Sequence, residues 1–99
     1  MILPYTIRAA SHIDALVTHY LAKDRPEAVR ALMRTLAIAS AAVLDGSATR
    51  YDTPRPYPTV REVGAYWVHF PPYWIAYRRP TSPVISAVFY DSADIPGRI

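Results

Sequence analysis

Cysteine is absent from the 99 residues. That excludes disulfide staples, cysteine-ligated zinc, iron–sulfur clusters and a thiol nucleophile. It also points to a reducing compartment, so the expected location is cytoplasmic. Glycine is nearly as scarce. Gly46, Gly64 and Gly97 lie far apart, and neither GxxxxGK[ST] nor GxGxxG is present, so a phosphate-cradling loop is not expected. Long apolar runs are missing as well. The longest, residues 36–44, is half of the ~18 residues that suggest a membrane span. The opening MILPYTIRAAS has a proline inside its apolar stretch and no basic leader, so no signal peptide is expected.

What is present suffices for a folded domain. Apolar residues make up 52% of the chain and charged residues 19%, outside the range of disordered segments. A chain of this size buries on the order of two-thirds of its unfolded surface. Residues 1–99 are therefore expected to form one domain around one core.

The two halves differ in composition. Eight of the ten prolines lie after residue 53, whereas seven alanines fall between Ala22 and Ala42 beside a single proline, Pro26. The first half should be helical and the second extended. Ser11 followed by Asp14 reads as an N-cap with an acidic first turn. Ile13, Leu16, Val17, Tyr20 and Leu21 then make one apolar stripe. Asp24, Pro26 and Glu27 mark a second helix start. Its apolar face is Val29, Leu32, Met33, Leu36, Val43 and Leu44, and Asp45-Gly46 is its stop. About three residues join the helices, which predicts an antiparallel hairpin.

Residues 3–9 read as a short strand with Tyr5 and Ile7 on one face. Residues 49–59 hold Pro54, Pro56 and Pro58 at alternate positions, so they should be an ordered loop or an edge. Residues 60–70, 73–79 and 84–90 are rich in Tyr, Trp, Val and Ile and read as strands, with breaks at Pro71-Pro72 and between Pro80 and Pro83. The expected fold is α+β in the order β-α-α-β-β-β. A helical hairpin would pack on one face of a mostly antiparallel four-stranded sheet.

Charge is segregated. The formal net charge is +3. Outside residues 50–79 the basic and acidic residues cancel. Inside, Arg50, Arg55, Arg61, Arg78 and Arg79 face only Asp52 and Glu62, interleaved with Tyr51, Tyr57, Tyr66, Trp67, Tyr73, Trp74 and Tyr77. Arginine among aromatics suits phosphate, carboxylate or protein hot-spot contacts. The bland alternative is that the aromatics fill the core while the arginines keep the surface soluble.

Catalytic and metal motifs are not evident. His12 and His19 are two helical turns apart with no carboxylate at a ligand spacing, and they read with His69 as satisfied surface histidines. Ser40, Ser47, Ser82, Ser86 and Ser92 lack a nucleophile-elbow setting. Asp91 and Asp94 read first as a cap or turn. No catalytic residue, metal or cofactor is expected.

Four stretches carry a family resemblance. They are Ile13-Asp14-Ala15-Leu16 with Tyr20 and Pro26-Glu27-Ala28; Arg61-Glu62-Val63; Tyr73-Trp74-Ile75-Ala76-Tyr77; and Val84-Ile85-Ser86-Ala87-Val88. In this order and spacing, over nearly the full length, the chain resembles the RelE/ParE toxins of type II toxin–antitoxin systems. The resemblance implies a RelE/ParE-like fold and an antitoxin partner whose acidic C-terminal segment wraps the toxin. RelE-type members cleave mRNA on the ribosome with basic residues and a tyrosine on the sheet. Here Trp74 stands where one of their arginines lies, and the segment after residue 90 is acidic. The ParE branch, which binds DNA gyrase and does not cleave RNA, is therefore favoured. Of the ParE tail, Asp94 alone is matched.

On this reading the target- or antitoxin-binding residues are Arg61, Trp67, Trp74, Arg78, Arg79, Tyr90, Asp91, Asp94 and Arg98. The partners are a cognate antitoxin and either gyrase or the ribosome, with no membrane; a homodimer or a hetero-oligomer with antitoxin is the candidate assembly. The alternatives are an mRNA interferase with an atypical site, using Arg78 or Arg79, and a non-toxic antitoxin-binding member.

Overall fold

The structure is a computed structural model and describes residues 2–51, 65–78 and 83–90. Two helices, α1 (Ile7–Ala22) and α2 (Pro26–Asp45), precede three strands, β1 (Ala65–Phe70), β2 (Tyr73–Arg78) and β3 (Val84–Tyr90). The strands form an antiparallel sheet with β2 in the centre. The fold is thus α+β, with two helices and a three-stranded antiparallel sheet among the described residues.

The expected first strand, residues 3–9, is not a strand. Helix α1 begins at Ile7, because Thr6 takes an extended backbone and its hydroxyl accepts the Ala9 N–H at 3.1 Å. That cap, followed by two alanines, outweighs the β preference of Ile7, which is left 91% exposed. Ser11, the expected cap, lies inside the helix. The strand reading survives only as a parallel bridge between Tyr5 and Ile85. Ile85 donates its N–H to the Pro4 carbonyl, and the Thr6 N–H donates to the Ile85 carbonyl, both at 2.9 Å.

The second helix start also shifts by one residue. Asp24 does not cap α2; it sits at φ 55, a left-handed backbone that ends the turn after α1. Arg25 takes the N-cap position without a side-chain hydrogen bond, and Pro26 is the first helical residue. The residue before a proline is pushed out of the helical region, which places the boundary there. At the far end Gly46 adopts the left-handed cap conformation at φ 78, as the Asp-Gly stop predicts.

The strands match their expectation closely. β3 spans residues 84–90, and β2 matches through Arg78. Residues 60–64 of the expected first run lie outside the described residues. Phe70 faces Tyr73 across the Pro71-Pro72 turn, whose Pro–Pro bond is cis. The β2–β3 register slips once, from Ala76 opposite Ala87 to Tyr77 opposite Ile85. Ser86 is the extra residue of this bulge.

Two apolar clusters hold the sheet. On the helix side, Val68, Tyr73, Ile75, Tyr77, Ile85 and Val88 meet Leu3, Ile13, Tyr20, Leu32, Leu36 and Val43. A second cluster joins Trp67, Trp74, Ala76, Ala87 and Phe89, with Tyr51 packed against it. Central β2 is consequently buried at every position from Tyr73 to Tyr77, which explains why its sequence shows no polar alternation.

One buried polar residue ties the N-terminal segment to α2. Ser40 accepts the Leu3 N–H at 2.9 Å and donates to the Leu36 carbonyl at 2.7 Å. Removing the hydroxyl orphans a buried backbone N–H. Ser40→Ala should therefore destabilise the fold by about 1–3 kcal/mol in chemical denaturation. A change near zero would mean that this N–H finds another acceptor.

Candidate functional site

A cleft of about 680 Å³ lies between the helical hairpin and the β3 side of the sheet. Helix α1 contributes His12, Leu16, His19 and Tyr20. Arg25 and Ala28 come from the start of α2, and Tyr73, Phe89 and Tyr90 from the strands. The volume falls in the usual range for ligand clefts.

Helical spacing explains the α1 wall. His12, Leu16, His19 and Tyr20 fall on one face, at offsets of 0, 4, 7 and 8. His12 is half-buried, and its Nδ1 accepts the Val88 N–H at 3.2 Å, so the ring uses that nitrogen as an acceptor. The same ring lies 4.5 Å from that of Phe89. Next to it, the Ser86 carbonyl accepts from Arg8 Nε at 3.0 Å and from the Thr6 hydroxyl at 3.4 Å. Side chains of α1 and its cap thereby occupy backbone groups on the outer edge of β3, which would otherwise be open to another strand.

The floor of the cleft is a pair of phenols. The Tyr20 and Tyr73 hydroxyls lie 2.5 Å apart. Burial, and then the hydrogen bond with Tyr20, push the Tyr73 phenol well above its ordinary value. Tyr90 stands edge-on to Tyr73 at 5.6 Å and is partly exposed at the rim. Arg25 is exposed, and its Nε pairs with Glu27 at 3.2 Å.

The binding residues expected from the sequence do not gather in one place. Tyr90 lines the cleft. Arg78 is exposed at the opposite end of β2, paired with Ala65 and Val84. Five strand steps separate Tyr73, the cross-strand partner of Tyr90, from Arg78, roughly 17 Å at ~3.4 Å per residue. Trp67 and Trp74 are buried in the second cluster. The Tyr51 ring lies edge-on to Trp74 at 5.6 Å, and His69 stacks on Trp74 at 4.4 Å. Tyr73 and Tyr77 are buried as well. Much of the aromatic interleaving is therefore core. Arg50 lies over the Tyr66 ring at 4.8 Å, a cation–π contact. Arg61, Arg79, Asp91, Asp94 and Arg98, and the prolines 54–58, lie outside the described residues.

Sequence reasoning placed Tyr20 in the helix stripe and Tyr73 in a strand but did not join them. It also read His12 as a surface residue. The available signal was the shared face of His12, Leu16, His19 and Tyr20. Among the described residues no group of three or more His, Asp or Glu side chains could hold a metal ion. Among them, too, no helix is long and apolar enough to cross a membrane.

Comparison with known protein families, curated proteins and solved structures finds no match.

Proposed function

We propose that this chain is a ParE-like toxin of a type II toxin–antitoxin system, acting by binding a cellular protein, DNA gyrase first, and neutralised by a cognate antitoxin. The observation that carries the reading is the order and placement of the elements. An N-terminal segment bridges parallel to the last strand, a helical hairpin follows, and an antiparallel meander closes the domain. The helical hairpin followed by a three-strand meander supports the RelE/ParE resemblance, while the expected first strand is present only as one bridge.

Trp74 favours protein binding over RNA cleavage. It stands where the ribonuclease branch carries an arginine, and here it is buried beneath Tyr51 and His69 rather than offering a charge to a phosphate. Arg78 and Tyr90, both exposed, are the described residues best placed to meet a target.

Induced expression in a bacterial host should arrest growth, and co-expression of the small adjacent open reading frame should restore it. The purified chain should inhibit gyrase supercoiling. Arg78→Ala and Tyr90→Ala should each weaken that inhibition by roughly tenfold or more without shifting the melting curve. Normal growth on induction would remove the toxin reading. Untouched supercoiling at micromolar excess would remove gyrase, and mRNA cleavage in a translating extract would establish the interferase alternative.

A further inference from the structure

Among the described residues, the phenol pair that lines the cleft has one proton more than it has acceptors. Tyr20 and Tyr73 are 8% and 3% exposed, and each hydroxyl has the other as its hydrogen-bond partner. Two hydroxyls carry two protons, and the bond between them uses one. For the second, the described residues offer no acceptor. Both side chains line the cleft, so the spare proton belongs to a buried donor at its floor. Nature rarely leaves such a donor without a partner.

The surroundings select the partner's charge. Arg25 lines the same cleft and is close enough to Tyr73 to act on its phenol. Its partner Glu27 is exposed and is not part of the lining. His12 cannot take the proton through Nδ1, which already accepts the Val88 N–H. Among the described residues no acidic side chain lines the cleft, while Leu16, Ala28 and Phe89 supply apolar walls.

The geometry points to a carboxylate-binding site: an acidic side chain of a partner polypeptide accepts the spare phenol proton, faces the Arg25 guanidinium, and lays its apolar neighbours against the cleft wall. A carboxylate fits because it is acceptor-only and anionic, and hydrogen bonds to an ionised group are the stronger kind. The site rests on the cleft alone. That the polypeptide is the antitoxin rests on the function proposed above.

The full chain, ¹⁵N-labelled, is titrated with phenylacetate and with phenylacetamide, which have the same shape and differ in charge. Phenylacetate should shift the amides of His19, Tyr20 and Tyr90 and bind at least about tenfold more tightly than the amide. The double variant Tyr20→Phe/Tyr73→Phe replaces both partners by rings of the same outline, a change that leaves folding nearly intact. It should abolish most of that preference, and Arg25→Gln should reduce it separately. Equal binding of the two probes, binding away from the cleft, no binding, or a preference that survives the double variant would each overturn the site.

The product of the adjacent open reading frame is then tested for binding. Weakening of its complex by about tenfold in the double variant supports the assignment of the partner. Discrimination of the probes without any binding of that product would leave the site standing and sink the toxin–antitoxin reading. Binding of that product unaffected by the variants would leave the toxin–antitoxin reading standing and sink the assignment of that partner to the cleft.

Discussion

Trp67→Ala should lower the unfolding free energy by about 3–5 kcal/mol, a large share of the ~5–15 kcal/mol typical of a domain. Trp67 is 0% exposed. Its backbone pairs with that of Tyr51 through two 2.7 Å hydrogen bonds, and its ring lies 6.1 Å from Phe89 in a stacked arrangement. Its cross-strand neighbour is Ala76, which faces Ala87 in turn. The cross-strand alanines are too small to fill the space the indole leaves, so a cavity cost adds to the lost burial. Urea denaturation should show a lower midpoint with an unchanged slope. A loss below about 1 kcal/mol would mean that the second cluster contributes little.

The indole Nε1 is itself buried with no partner among the described residues. Trp67→Phe removes that orphan donor and keeps most of the ring, so it should cost much less than Trp67→Ala. The comparison also bears on function. Trp67 and Trp74 were expected at a binding surface. Loss of the proposed toxicity in an alanine variant of either would report unfolding, whereas Arg78 and Tyr90 are exposed and can be changed without opening the core.

Leu32→Ala should cost about 2–5 kcal/mol. Leu32 is 0% exposed, on the face of α2 that meets the helix-side cluster. For a domain of about 100 residues the melting temperature should fall on the order of 10 °C or more. Ile38 lies on the same helix but is 53% exposed, and Ile38→Ala should change stability by no more than about 0.5 kcal/mol. Similar losses at both positions would show that the outer face of α2 is covered in solution.

The two leucine and isoleucine positions illustrate what hydrophobic spacing could reveal. Val29, Leu32, Leu36 and Val43 were legible as one stripe because helical geometry puts them on one side whatever they pack against. Ile38 and Leu44 break the pattern, and Leu44, expected on the buried face, is exposed. Strand ends were legible because prolines forbid the ladder at residues 71, 72, 80 and 83. The start of α1 was not. Thr6 and Ser11 are both acceptable caps, and the choice between them depends on Pro4 and Thr6 reaching Ile85, a contact across about 80 residues of chain. The Ser86 bulge was equally invisible, since it is a property of two strands in register.

The candidate site shows the same division. Arg78 and Tyr90 were named from residue type and position, and both are exposed. The phenol pair was not named, because Tyr20 and Tyr73 are separated by 53 residues and each alone reads as an ordinary buried aromatic.

Composition and local pattern were enough to establish a cysteine-free α+β domain with a helical hairpin before a meander, because periodicity, proline and glycine act within a few residues. Where α1 starts, which aromatics become core, and that two tyrosines share one cleft with Arg25 were settled by packing. Those outcomes depend on which distant groups meet, and on the hydrogen bonds left over when they do.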